Sequence, residues 1–365
     1  MIIIAGKNNI AVNALSYLAL SFKAHKLAVV CNDSDTGVDF WQMSLRKKAA
    51  ELGIIELSLY EAERVAEIFI SLEFDKIIKI NNFNTHKLFN IHFSLLPKYR
   101  GMYTSTLPIL NNEKKTGVTL HKIDDGIDTG DIISALQIEI SDTDCSLDLY
   151  IKYTSSALEL FIHSIANIIG DKYECIEQEK INTSYYSKDS INFNKKEVCF
   201  EQSSVSIIRF VRAYSFRPYQ MPVIKNNKIV NVEILSTKSN LSPGSTIKIN
   251  DSFIDLSTID FDIRAYFDKF NLIVKLCEDN KISKIKKILK NLVNIDDRTD
   301  SLQTLLMISV MKGFYDLSKF LILSGANVNA IDSFGESVLH YANKIDSEED
   351  KHKIISLLIN NGGVS

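Results

Sequence analysis

Cysteine is scarce and scattered: Cys31, Cys145, Cys175, Cys199 and Cys277 are five in number, and none belongs to a CxxC pair. That pattern excludes a disulfide framework and a structural zinc site, so no metal is expected, and it suits free thiols in the reducing cytoplasm. Positive charge is not in excess either. Lys and Arg total 42 against 45 Asp and Glu, a net charge of −3. No global basic field exists for nucleic acid to feel, and any anionic ligand must be held by a local cluster of cations. No run of about 18 apolar residues is present, so no membrane span is expected. The opening MIIIAGKNN lacks the basic start, long apolar stretch and cleavage site of a secretory signal. Glycine is thin where cofactor loops need it. The turn after the first apolar run holds only Gly6, with no GxGxxG and no GK[ST], which excludes NAD and ATP.

What is present divides into three regions. Residues 1–75 alternate β-branched runs (1–5, 27–31, 69–72) with amphipathic stretches, one through Leu15, Leu18 and Phe22 and another over 40–52. Such alternation predicts a parallel sheet covered by helices on both faces, with ligands beyond the carboxyl ends of its strands. Two further apolar strands flank an aspartate-rich turn at 124–131, and a helix is expected over 145–169. The first domain is placed at 1–190. Residues 191–267 begin with a helix near 203–214 and continue as short β-prone runs separated by Asn-Asn, Pro-Gly and Asn-Asp turns, a small β-rich domain.

Residues 268–365 have helical apolar spacing throughout. Residues 325–342 closely match the ankyrin pattern, and Leu339 aligns with Leu305, 34 positions earlier, near the ankyrin period of about 33. Gly313 falls at the inter-helix position, Leu357, Leu358, Gly362 and Gly363 repeat the element that starts at Phe320, and Ile285, Ile288 and Leu289 mark a degenerate first copy. About three irregular repeats are expected. They either bind a regulatory ligand or protein, or pack against the catalytic core.

The chemistry-bearing residues cluster between 90 and 130. Asn90 and His92 are two apart and share one side of an extended segment. An amide and an imidazole at one strand end, with an aspartate turn downstream, can supply an oxyanion donor, a general base and an orienting carboxylate. Singly, each has a plainer explanation: a core histidine, or turn-forming Asn and Asp, as Asp124, Asp125 and Asp131 can be. Lys7, near a helix start, suits a phosphate or simply solvent.

Taken together, Asn-x-His-x-Ser-Leu-Leu-Pro (90–97), Gly-Val-Thr (117–119) and Asp-x-Gly-x-Asp-Thr-Gly (124–130) resemble the motifs of the folate-dependent formyltransferases, with Phe93 the one departure. The resemblance covers about residues 1–190. It implies a Rossmann-like core, 10-formyltetrahydrofolate as co-substrate, and Asn90, His92 and Asp128 as catalytic residues. Asn90 and a protonated His92 would stabilise the oxyanion, while Asp128 orients the imidazole and moves the amine proton. Ser71, Leu72, Glu73, Ile123, Asp124 and Asp128 would border the folate.

The chain start, the stretch 69–78 and the ankyrin region resemble the nucleotide-sugar N-formyltransferases more than the tRNA or purine enzymes. This implies a dTDP-amino sugar as acceptor, a dTDP-3-amino-3,6-dideoxyhexose for O-antigen lipopolysaccharide, with the 4-amino sugar or formyltetrahydrofolate hydrolysis as alternatives. Residues 209–219 interleave three arginines with aromatics. Arginines there can pair with a diphosphate while a ring stacks on the base. Lys7, Asn8, Arg209, Arg212, Phe216 and Tyr219 are the expected substrate contacts, and a homodimer is expected.

Overall fold

Runs without a single polar side chain leave a strand no solvent face, and the first strands are buried at every position: β1 (Ile2–Gly6) and β2 (Leu27–Cys31). The computed structural model describes residues 1–217, 219–292, 295–332 and 334–364. The chain divides into two compact units, Met1–Phe193 and Asn194–Ser365.

The first unit continues with β3 (Ile55–Glu56), β4 (Ile68–Leu72), β5 (Leu88–His92), β6 (Arg100–Gly101), β7 (Lys115–Lys122), β8 (Ile132–Glu139) and β9 (Tyr185–Tyr186). Seven strands form one sheet in the order β3-β2-β1-β4-β5-β7-β8, while β6 and β9 form a separate ribbon. The first five are parallel, but β7 pairs antiparallel with both β5 and β8. The parallel sheet expected from residues 1–75 is present, and β7 and β8 extend it into a mixed one. A parallel pair needs a crossover of about a dozen residues or more, and the short aspartate turn between β7 and β8 permits only a hairpin.

Helices α1 (Asn8–Ala19), α2 (Leu45–Glu51), α3 (Leu59–Val65), α4 (Leu107–Leu110) and α5 (Ser146–Ile169) complete this unit. Helix α2 starts later than the expected residue 40. Ser44 caps it by accepting from the Lys47 N–H, and the Asp35 carboxylate holds both the Ser44 hydroxyl and the Arg46 N–H, so residues 40–44 stay in the loop. At Gly6 (φ +150°) an added Cβ would sit 1.8 Å from the Leu72 carbonyl oxygen. Only glycine lets the carboxyl ends of β1 and β4 come this close.

In the second unit, α6 (Ser204–Tyr214) packs on an antiparallel sheet of β10 (Val223–Ile224), β11 (Asn227–Ile234), β12 (Thr246–Ile249), β13 (Phe253–Leu256) and β14 (Ile263–Phe267), ordered β10-β11-β14-β13-β12. Ile207 and Val211 of the helix share a core with Ile229, Ile254, Leu256 and Ile263. Six helices follow as three pairs: α7 (Phe270–Glu278) with α8 (Ile282–Leu292), α9 (Leu305–Met311) with α10 (Tyr315–Leu323), and α11 (Val338–Asn343) with α12 (Glu348–Asn360).

The repeat phase is set by hydroxyl caps. Thr304 accepts from the Met307 N–H and Ser337 from the His340 N–H, 33 residues later, and the bridges Arg298–Thr304 and Ile331–Ser337 have the same offset. The counterpart of Leu305 is thus the fully buried Val338, not Leu339 as expected, because the cap and not the leucine spacing fixes where each helix begins.

Arg217 joins the sheet to the first helix pair within this unit. Its guanidinium lies 2.7 Å from Asp268 and 3.2 Å from Asp297 and sits 4.4 Å over the Phe270 ring. Breaking a buried ion network by removing one partner costs about 3 kcal/mol. Arg217→Ala is expected to lower stability by about that amount in urea unfolding, and a loss below about 1 kcal/mol would show the network to be dispensable.

Candidate active site

Asn90 and His92 close β5, the parallel strand that neighbours the antiparallel β7, and both line a pocket of about 500 Å³. Across the β5–β7 ladder Asn90 lies opposite His121. Asp128 enters from the β7–β8 turn in a left-handed conformation (φ 56°). Hydrogen bonds link Asn90 with His121 and Asp128, and His92 stands beside Asp128. The Asn90 amide nitrogen is 3.2 Å from Asp128 Oδ1 and 3.1 Å from His121 Nε2. His121 Nδ1 is 2.7 Å from the Lys122 carbonyl oxygen. Asp128 Oδ2 accepts from the Gly101 N–H at 2.9 Å and lies 3.4 Å from His92 Nδ1.

His92 Nε2 is 2.8 Å from the Tyr99 carbonyl oxygen. A carbonyl only accepts, so Nε2 carries the hydrogen and Nδ1 of the neutral ring presents a lone pair on the Asp128 side. Burial pushes the His92 imidazolium below the ordinary histidine value, with the Asp128 charge and the Tyr99 carbonyl opposing. Burial alone would raise the Asp128 carboxyl, but His92, His121 and the Gly101 N–H outweigh it and hold that group well below the usual carboxylate range. At neutral pH the resting site pairs an ionised Asp128 with a neutral His92. The protonated histidine expected as an oxyanion donor is not the resting form.

The turn that carries Asp128 is held from behind. Gln178 donates to the Asp128 carbonyl at 2.9 Å and to the Gly130 carbonyl at 2.7 Å, and Arg100 in turn holds the Gln178 side-chain oxygen at 2.7 Å. Such an array can take a proton from an attacking nitrogen and return it to a leaving one.

Known proteins resemble this chain over both of its regions. The formyl transferase family profile matches residues 48–165, and an ankyrin repeat profile matches 301–333. WlaRD, a sugar 3-N-formyltransferase solved with dTDP and 5-N-formyl-THF, is 42% identical, with 73% of this chain and 97% of that one covered at a TM-score of 0.67. The chain belongs to the sugar N-formyltransferase family. An N-formyltransferase from Helicobacter canadensis, solved with folinic acid and dTDP-3-aminofucose, is 43% identical over 73% of this chain and 98% of that one, also at a TM-score of 0.67. The methionyl-tRNA formyltransferase of Malacoplasma penetrans is 29% identical over 72% of this chain and 86% of its own length.

For a sugar N-formyltransferase, the other expected contacts fall unevenly. Ser71, Glu73, Ile123 and Asp124 line the pocket with Lys7. Leu72 is not among the lining residues: its side chain is buried, and its carbonyl accepts from the Lys7 N–H at 3.3 Å. Asn8 is tied down: its amide donates to Glu73 at 3.1 Å and to the Tyr150 hydroxyl at 3.3 Å. Burial raises the Glu73 carboxyl above its ordinary value against the pull of Asn8, Tyr150 and Lys7. Asp124 accepts from the Thr129 hydroxyl and the Gly126 N–H, the turn-forming role its surroundings suggested.

Arg209, Arg212, Phe216 and Tyr219 belong to the second unit and are not among the residues that line this pocket. Arg209 and Arg212 lie on α6. Arg209 Nε is buried with no hydrogen-bond partner among the described residues. Phe216 is buried, and its ring lies 5.2 Å from that of the 66% exposed Tyr219.

Sequence reasoning missed His121, Gln178 and the Tyr99 carbonyl. Period-two alternation places His121 on the same face as Thr119 and so gave a usable signal. Gln178 sits outside any motif, and a carbonyl has no sequence signature. The acid limb of kcat/KM is expected to have its midpoint below pH 6.5, the ordinary histidine value, because acid protonates His92 Nδ1 and removes the base. A midpoint above 6.5 in a pH-rate profile would contradict a burial-depressed His92.

Proposed function

We propose that this chain transfers the formyl group of 10-formyltetrahydrofolate to the amine of a dTDP-3-amino-3,6-dideoxyhexose. The observation that carries this reading is the convergence of Asn90, His92 and Asp128 at one pocket, with Asp128 3.2 Å from the Asn90 amide and 3.4 Å from His92 Nδ1. Identity of 42% and 43% to two enzymes, one described as a 3-N-formyltransferase and one solved with a 3-amino sugar, supports the position of the amine.

The uncharged amine attacks the formyl carbon, and a C–N bond forms as the nitrogen becomes cationic. His92 Nδ1 takes the proton, becoming an imidazolium whose two N–H groups face the Tyr99 carbonyl and the Asp128 carboxylate. The proton then passes to N10 of the folate as the N10–carbon bond breaks, leaving the sugar formamide and tetrahydrofolate. A charge born on a buried ring is stabilised by acceptors already in place.

The folate is assigned to the side of the pocket made by Ser71, Glu73, Ile123, Asp124 and Asp128, with Ile78 and Ile91 as apolar walls, which suits a flat heterocycle with polar edges. Lys7 is assigned to the diphosphate, with Asn8 holding its turn. Arg209, Arg212, Phe216 and Tyr219 are assigned to the nucleotide, a reading supported by Arg209 Nε, which has no partner among the described residues. Among the described residues no cluster of His, Cys, Asp and Glu suited to a metal occurs, and the chemistry above requires none.

We place the enzyme in the cytoplasm, which suits five scattered cysteines without a CxxC pair, as a homodimer that supplies O-antigen lipopolysaccharide synthesis. The test is tetrahydrofolate release from 10-formyltetrahydrofolate with dTDP-3-amino sugar, dTDP-4-amino sugar, or no acceptor. Turnover is expected with the 3-amino sugar alone, and His92→Asn should cut kcat by about two to three orders of magnitude. Turnover without an acceptor would instead show a hydrolase, and preference for the 4-amino sugar would move the amine.

A further inference from the structure

We infer that Gln178 is a positioning residue: it locks the turn that carries Asp128 and so sets how that carboxylate faces His92. This rests on the formyl-transfer reading above and adds to it a residue outside the motifs.

Gln178 lies beyond α5 on a segment held at both ends. At one end Ile176 exchanges two backbone hydrogen bonds of 2.8 Å with Ile132, the first residue of β8. At the other, Tyr185 and Tyr186 of β9 pair with Arg100 and Gly101 of β6. Between them the Ser184 hydroxyl accepts from the Tyr99 N–H at 2.8 Å. One segment thus holds Tyr99, whose carbonyl takes the His92 hydrogen, Gly101, whose N–H meets Asp128 Oδ2, and the Asp128 turn itself.

The Gln178 side chain is buried, and its amide has one orientation. Arg100 donates to Oε1 from Nη2 at 2.7 Å and from Nε at 3.2 Å. A guanidinium only donates, so the amide oxygen is fixed on that side and Nε2 faces the turn. Its two hydrogens meet the Asp128 carbonyl at 2.9 Å and the Gly130 carbonyl at 2.7 Å, one on each side of Thr129. The grip holds Asp128 in a left-handed conformation (φ 56°), which a residue with a Cβ enters only at a cost.

Four groups face the carboxylate that this turn presents: the Gly101 N–H, the Asn90 amide, His92 at 3.4 Å and His121 at 3.5 Å. Asn90, His92 and His121 are anchored on their strands, so releasing the turn changes chiefly how far the Asp128 charge stands from His92. Burial lowers the His92 imidazolium, the Asp128 charge and the Tyr99 carbonyl raise it, and His121 lowers it. A carboxylate withdrawn from the ring leaves the imidazolium formed during attack with less of its counter-charge.

The test uses the full chain with Gln178→Met, which keeps the side-chain length and removes both N–H donors without adding charge. Displacing a catalytic group by about 1 Å costs about 100-fold, and kcat is expected to fall by that order, with the KM of the dTDP-amino sugar within about threefold. The acid limb of kcat/KM should move to lower pH, because His92 loses part of the support of the Asp128 charge. An acid limb that stays in place, or an effect confined to KM, would overturn the inference.

Gln178→Met also deprives the Arg100 guanidinium of its acceptor, which is costly in itself. Arg100→Met/Gln178→Met removes that donor as well, and should regain stability in urea unfolding while keeping the loss in kcat. Recovery of kcat in the double variant would show that Gln178 serves only to satisfy Arg100. In resting enzyme with 15N-labelled histidine, the His92 signal being identified by its loss in His92→Asn, the protonation midpoint should fall in Gln178→Met. That readout needs no turnover. If it holds while the wild-type chain transfers no formyl group, it is the proposed function that falls.

Discussion

One negative charge in a nearly closed setting organises the catalytic unit. The Asp128 carboxylate accepts from the Gly101 N–H and the Asn90 amide and lies beside two histidine rings, and among the described residues no lysine or arginine pairs with it. A buried carboxylate without a cation persists only when neutral donors surround it, so each of these groups has its orientation dictated by the same two oxygens. The left-handed backbone at Asp128, and the Gln178 and Arg100 chain behind it, keep those oxygens where the strands can reach them. His92 inherits its state from this arrangement. Its hydrogen is claimed by the Tyr99 carbonyl, and its lone pair is left beside a carboxylate whose charge favours protonation of the ring.

The mixed character of the sheet is what makes this possible. Because β7 runs antiparallel to β5, His121 comes level with Asn90, and the hairpin turn folds back over the end of β5 and delivers Asp128. At the other side of the crevice, the contact between Gly6 and Leu72 draws β1 and β4 together and brings Lys7 to the pocket. The second unit divides its arginines by task in a similar way. Arg217 is enclosed by Asp268, Asp297 and Phe270 and holds structure together, whereas Arg209 keeps a donor without a partner among the described residues. Three arginines in one short segment look alike in sequence, and their surroundings separate them.

Much of this was legible before any coordinates. The apolar runs at 1–5 and 27–31 predicted β1 and β2 within a residue, because a strand buried on both faces tolerates no polar member. Helices α5 and α6 emerged from amphipathic spacing, and the ankyrin region from its repeat period. The start of α2 and the repeat phase were misjudged by a few residues and by one residue, because a capping hydroxyl at Ser44 or Ser337 outweighs the apolar pattern there. The parallel sheet expected from residues 1–75 is there, and the antiparallel β7 and β8 continue it.

By itself the sequence determined which residue types stand at 90, 92 and 128, that strands and helices alternate around them, and that a helical repeat array follows. These depend on local spacing and side-chain chemistry, which a linear chain displays openly. The tertiary structure alone decided the rest: the antiparallel seat of β7, the pairing of His121 with Asn90, the Tyr99 carbonyl that fixes the His92 hydrogen, and the removal of Arg217 and Asn8 from the pool of free ligands. Those outcomes depend on which distant groups compete for the same few hydrogens once water is excluded, and that competition has no image in the order of residues.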